Sequence, residues 1–222
     1  MKRFARGRYG RALSLWLIVT LMLPGLILPT TSPGQASVGG HQQVIVLPLQ
    51  SAVREIPFNL GRRIIQELQF ALAGQVGVHV TELLPTSSML SRAREQLDDE
   101  SKARLNDAFE KASNPATADD ERLDAAAFLG RTLGVDQVVY GTIDQYEFTT
   151  DPDPRQVLVR VTAIKVSVDK DGTPLRSPLV ALGKSRRYPN GKAQESTLAG
   201  EAITSIAQNL ATQLTGLTAV GT

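Results

Sequence analysis

The stretch Leu133-Gly134-Val135-Asp136-Gln137-Val138-Val139-Tyr140-Gly141-Thr142-Ile143 decides the fold. It reads as a helix end, a tight turn and a strand. Gly134 suits the left-handed position that closes a helix. Asp136 can hold the turn by accepting backbone amide bonds. Val138, Val139, Tyr140 and Ile143 are strand-forming residues, and Gly141 in their midst marks a bulge or the close approach of another element. A helix therefore feeds directly into a buried strand, the joint of an α/β fold.

Working upstream, Asp119 or Asp120 can cap the helix that ends at Leu133, with Leu123, Ala126, Ala127 and Leu133 turned inward. Asn114-Pro115 breaks the preceding pattern. Before that break, Ser91 to Ala112 reads as one charged helix with a narrow apolar edge of Ala93, Leu97, Leu105, Ala108, Phe109 and Ala112, preceded by Leu90. Ten acids and six bases fall between Arg92 and Asp124. That charge fits a solvated helix face carrying ion pairs, with a partner-binding hairpin as the sharper reading. Further back, Val76, Val78 and Val80 alternate as a strand, and Pro57 to Gln75 carries the stripe Leu60, Ile64, Ile65, Leu68, Ala71, Leu72 of an amphipathic helix. Gly74 is its stop. Val44-Ile45-Val46-Leu47-Pro48-Leu49 is wholly apolar, as a strand covered on both faces must be, and Pro48 ends regular pairing.

Downstream, Asp151-Pro152-Asp153-Pro154 is a turn. Arg155 to Val168 is a strand whose apolar positions are 157, 159, 161 and 163, then 164, 166 and 168. That change of phase predicts a bulge or bend between Ala163 and Ile164. Asp169-Lys170-Asp171-Gly172 is a hairpin turn, Leu179 to Tyr188 the returning strand, and Asn190-Gly191 its close. Ala193 to Leu217 is a final helix with Ile203, Ile206, Leu210, Leu214 and Leu217 in one stripe. The order is β-α-β-α-α-β-β-β-α. It predicts an α/β (α+β) fold: a mixed β-sheet of about five strands with helices packed on it.

The N-terminus has its own logic. Lys2, Arg3, Arg6, Arg8 and Arg11 precede the apolar run Leu15 to Leu28, which Pro24-Gly25 interrupts, and Gly34-Gln35-Ala36 supplies small residues for cleavage. This is the pattern of a secretory signal peptide over 1–36, cut between Ala36 and Ser37. A short flexible leader follows over 37–42, then one domain over 43–222 with a charged helical insertion at about 90–119. An uncleaved membrane anchor is the alternative, although the apolar run is short for a span of about 20 residues. Of 24 basic and 22 acidic residues, five bases and no acids precede Ser37, so 19 bases face 22 acids in the exported chain. No basic footprint remains, and nucleic acid is excluded as a partner. The chain has no cysteine, hence no disulfide, no thiolate metal site and no lipidated Cys.

The phrase from Leu133 to Ile143, together with Ile45-Val46-Leu47-Pro48-Leu49 and its following helix, resembles the TolB N-terminal-like group of bacterial envelope domains. That group takes in the curli-secretion channel subunit and the lipoprotein activators of penicillin-binding proteins. The resemblance covers most of residues 43 to 217 in element order. It implies a non-enzymatic envelope protein that binds other proteins or assembles into homo-oligomers. The channel and activator members are lipoproteins, whereas this chain has no Cys to lipidate. No propeller repeats follow, and the charged helix at 91–112 is long for the group.

Chemistry has little to work with in the residues themselves. His41 lies in the leader, and His79 sits in a strand on the face opposite Val78 and Val80. No Gly-x-Ser-x-Gly elbow is present. Asp169-Lys170-Asp171-Gly172 lacks the remaining ligands of a calcium loop. Gly61, Gly74 and Gly77 fit no phosphate-binding motif. We therefore expect no catalytic residues, no cofactor and no metal. Lys184, Arg186, Arg187 and Lys192 form the one basic cluster, a solvated strand end or a contact for an acidic partner or anionic headgroups. The expected function is that of an exported, periplasmic or secreted protein acting by protein–protein contact, with an unknown envelope partner. Two alternatives stand beside it: a membrane-anchored accessory component of an envelope transport or cell-wall complex, and a secreted hydrolase using paired carboxylates.

Overall fold

The computed structural model describes residues 42–54, 56–57, 59–75, 77–149, 155–168, 173–188 and 193–216. The expected signal peptide with its Ala36–Ser37 junction, His41, the turns at 151–154, 169–172 and 190–191, Lys192 and Leu217 lie outside them. The elements run β1 (Gln42–Val46), β2 (Gln50–Ser51), α1 (Leu60–Ala73), β3 (Val78–Glu82), α2 (Ser88–Gln96), α3 (Asp99–Ser113), α4 (Asp119–Leu133), β4 (Gln137–Thr149), β5 (Gln156–Val168), β6 (Pro174–Lys184) and α5 (Glu195–Thr215).

Why β1 is central follows from its side chains. Val44 and Val46 point into one core, with α1 and α5, while Ile45 and Leu47 point into a second, with α2, α3 and α4. All four are at most 1% exposed, as a strand covered on both faces requires. The sheet order is β3-β1-β4-β5-β6, with β2 paired to β4 off that path. β3, β1 and β4 are mutually parallel, and β5 and β6 continue as an antiparallel meander. The mixed six-stranded sheet with helices packed on it is the expected fold, with one short strand, β2, added. β1 also begins at Gln42, and Gln42 and Gln43 pair in register with Val78 and His79.

The α4–β4 joint forms as its residues dictate. Gly134 closes α4 at φ 65°, and its N–H and that of Val135 return to the carbonyls of Arg131 and Gly130. Asp136 does more than hold the turn. Its Oδ2 accepts the Gln43 amide at 2.7 Å, and its own N–H donates to the Gln43 carbonyl at 3.0 Å. One aspartate thus fixes where β4 meets β1. Gly141 lies opposite Ala163, and a Cβ there would fall 2.5 Å from the Thr162 carbonyl oxygen. The close approach expected at Gly141 is the neighbouring strand itself.

Three expectations need correcting. Neither Asp119 nor Asp120 caps α4: both lie in its first turn, and Ala118 holds the N-cap position with no side-chain bond. The single helix over Ser91 to Ala112 is two. Leu97 and Asp98 are extended between α2 and α3, and Asp98 caps α3 by accepting the Ser101 amide at 2.7 Å. A carboxylate at an N-cap also meets the positive helix end, so the local hydrogen bond wins over continuing the helix. The bulge expected between Ala163 and Ile164 is absent: β5 pairs with β6 without interruption from Leu158 to Val168. The irregularity sits on the partner strand, between Ile143 and Gln145. The phase change in β5 has another cause. Val157, Val159, Val161 and Ala163 bury against α1 and α5, while Ile164 and Val166 belong to the opposite core. The strand keeps its pleat; the helical cover changes sides along it.

Both sheet edges are treated differently. On β6, the Val180 N–H donates to Gln213 Oε1 (3.2 Å), and Gln213 Nε2 and Asn209 Nδ2 donate to the Val180 and Leu182 carbonyls (2.9 Å each). Side chains of α5 therefore stand where another strand would bond. On β3, the corresponding bond is Gln69 Nε2 to the Val80 carbonyl at 3.3 Å.

Candidate functional site

Helical cover is incomplete. α2, α3 and α4 cover the part of their sheet face around Val138, Tyr140, Ile164 and Val166. Farther along the same face, toward the ends of β4 and β6, register brings Glu147 beside Leu158 and Lys184, and Gln145 beside Arg160 and Leu182. Val180 is 49% and Leu182 41% exposed, and Glu147, Arg160 and Lys184 are exposed with them. The result is a bare patch of sheet with an apolar centre and charges of both signs. Antiparallel sheets commonly leave one face to solvent, but such faces alternate polar side chains outward; Leu158, Val180 and Leu182 do not fit that pattern.

The predicted basic cluster falls at the margin of this patch. Lys184 ends β6 on the bare face, and Arg186 and Arg187 follow it, exposed. The backbone here is held by an acid: Glu201 of α5 accepts the Arg186 amide (2.8 Å) and the Tyr188 hydroxyl (2.6 Å). Those two bonds hold the Glu201 carboxyl below the usual carboxylate range, and the second of them pushes the Tyr188 phenol up. An acid thus lies against the backbone of the cluster. Lys192 lies outside the described residues, and Arg160, from β5, stands on the same face as Lys184. Its signal was present in the sequence, since 160 falls between the buried positions 159 and 161.

A second feature is a cavity of about 660 Å³ on the opposite face, at the same end of the sheet. β1, β4 and β6 all run toward this end, because β5 reverses between β4 and β6. From β1 the chain crosses to β3 through α1 on one face, then returns to β4 through α2, α3 and α4 on the other. The connections part between β1 and β4, the switch point at which open α/β sheets form a crevice. Ile56 and Pro57 enter it from the β2–α1 connection, Arg63 from α1, Tyr146 and Phe148 from β4, and Glu195 from α5. The Tyr146 hydroxyl donates to Glu195 Oε1 at 2.7 Å. Burial first, and then that bond to a carboxylate, push the phenol well above its ordinary value. None of these residues stood out in the sequence as a site: Tyr146 reads as strand and Arg63 as the solvated side of a helix.

His79 is exposed on edge strand β3, away from the buried Val80. Among the described residues no three potential ligands group as a metal site, and no helix is long and apolar enough to cross a membrane.

No family model matches the chain, and no curated protein matches it. Several solved structures are similar to it at low identity. A PelC dodecamer from Paraburkholderia phytofirmans is 15% identical, with 80% of this chain and 93% of that one covered at a TM-score of 0.37. Lipoprotein GNA1162 from Neisseria meningitidis is 14% identical over 79% of this chain and 99% of that one, at 0.43. The LpoB C-terminal domain from Salmonella enterica is 13% identical over 66% and 86%, at 0.33.

Proposed function

We propose that this chain is an exported, non-catalytic protein of the bacterial envelope that acts by protein–protein contact, through the bare patch of its sheet. The observation that carries this reading is the exposure of Val180 and Leu182, beside Leu158 and between Arg160, Lys184 and Glu147. Apolar centre and charged rim is the anatomy of an interface: the centre supplies desolvation, the rim orientation. The signal-like N-terminus and the resemblance to TolB N-terminal-like domains support the compartment and the class of role. The basic residues at the patch margin suit an acidic partner.

A photo-crosslinking residue at position 180 or 182, introduced into the protein in its own cell, tests this directly. One dominant adduct is expected, with a partner or with a second copy. Leu182→Lys beside the crosslinker at 180, or Val180→Asp beside that at 182, should remove it without altering the fold. Adducts no more frequent there than at an exposed control site such as Glu121 would sink the reading. Mass spectrometry of the same material checks export, with the chain expected to start at Ser37. An intact Met1 would favour the anchored alternative.

A further inference from the structure

The cavity at the switch point makes a separate demand on any occupant. Arg63 and Glu195 both line it, yet they form no ion pair with each other, and Arg63 has no carboxylate partner among the described residues. Glu195 is held by the Tyr146 hydroxyl, which fixes the direction of its carboxylate. The rest of the lining is mixed: Ile56, Pro57, the Phe148 ring and Ala199 are apolar, and Ser196 is polar. A volume of about 660 Å³ falls within the range of small-molecule sites, and a mostly apolar wall with a few placed polar groups is their usual make-up.

The chemistry narrows the ligand. A carboxylate matches Arg63, because guanidinium offers two parallel donors to it. An ammonium matches Glu195, which can accept beyond the single bond from Tyr146. A nucleotide would set its phosphates against Glu195, a neutral sugar would leave both charges unmatched, and a fatty acid would leave the Glu195 charge without a cation. We infer that the cavity lined by Arg63, Tyr146, Phe148 and Glu195 binds an amino acid or short peptide, with a free carboxylate on Arg63, a free ammonium on Glu195 and an apolar side chain against Phe148. This site is independent of the bare sheet patch and can stand or fall without it.

Calorimetric titration of the full exported chain tests the inference with four probes: L-phenylalanine, the tripeptide Gly-Leu-Phe, the N-acetylated tripeptide and the tripeptide amide. Saturable binding of the amino acid, the free tripeptide or both is expected, and which of them binds tells a free metabolite from a chain end. Each blocked probe should bind at least tenfold more weakly than the free tripeptide. Arg63→Gln should remove the discrimination against the amide, and Glu195→Gln that against the acetylated form. An unchanged thermal midpoint in each variant shows that the fold survives. Absence of saturable binding by both free probes, or, where the free tripeptide binds, equal binding of its blocked forms, overturns the proposal.

Discussion

Gly141 shows how one missing side chain can set a strand spacing. Its place opposite Ala163 leaves no room for a methyl group beside the Thr162 carbonyl. Gly141→Ala should therefore destabilise the protein by about 1–3 kcal/mol, the usual cost of overpacking, measurable as a lower urea midpoint. Tyr146 makes a pH-dependent contribution at the same scale. Its phenol is raised in the folded chain by burial and by Glu195, so the protonated form is favoured by folding. That stability is complete below the unfolded value of about 10 and is lost as pH rises above it. Urea midpoints should fall between pH 9 and pH 11 in the wild type and fall less in Tyr146→Phe. Arg122 marks the limit of reading residues singly. In the sequence it is one charge among many on a solvated helix; in the fold it is 7% exposed, stacked 4.4 Å over the Tyr140 ring. Nothing local distinguishes it from its exposed neighbours, because its burial is decided by α4 landing on β4.

Elements were legible where their signals are local. The helix stop at Gly134, the two-sided strand Val44 to Leu47 and the α5 stripe Ile203, Ile206, Leu210, Leu214 all depend on a few adjacent residues, and all lie where expected. The α2–α3 break was missed because Asp98-Asp99-Glu100 reads equally as a charged helix interior and as a helix start. Hydrogen bonding decides between them: Asp98 bonds the Ser101 amide, which holds its carboxyl below the ordinary range. Asp98→Ala should lower the thermal or urea midpoint, and Asp98→Asn should lower it much less. The β5 phase change was misread for a different reason. Alternation reports which side is buried at each position, and it cannot say that the cover itself moves from one face to the other. The same blindness hid the cavity, whose walls come from residues 56 to 199 and share no local pattern.

For the whole molecule, the two-layer cover leaves two unequal surfaces at one end of the sheet: a bare patch on one face and a cleft on the other. The unequal edges matter as much. Replacing Gln213 and Asn209 together with Ala would strip the bonds that α5 makes to Val180 and Leu182. The monomer should remain folded, since Asn209 is exposed and Gln213 only half-buried. It should, however, gain a concentration-dependent tendency to associate, seen by light scattering, that the wild type lacks.

That pair of amides gives the sheet a polarity in the sense of a growing polymer. A chain with two open edges can add copies at either end and need never stop, whereas a chain with one terminated edge can at most meet another of its kind edge to edge and close. Gln213 and Asn209 act, in this sense, as chain terminators, and any association through strands is confined to the β3 side, where Phe70 stands 75% exposed on α1.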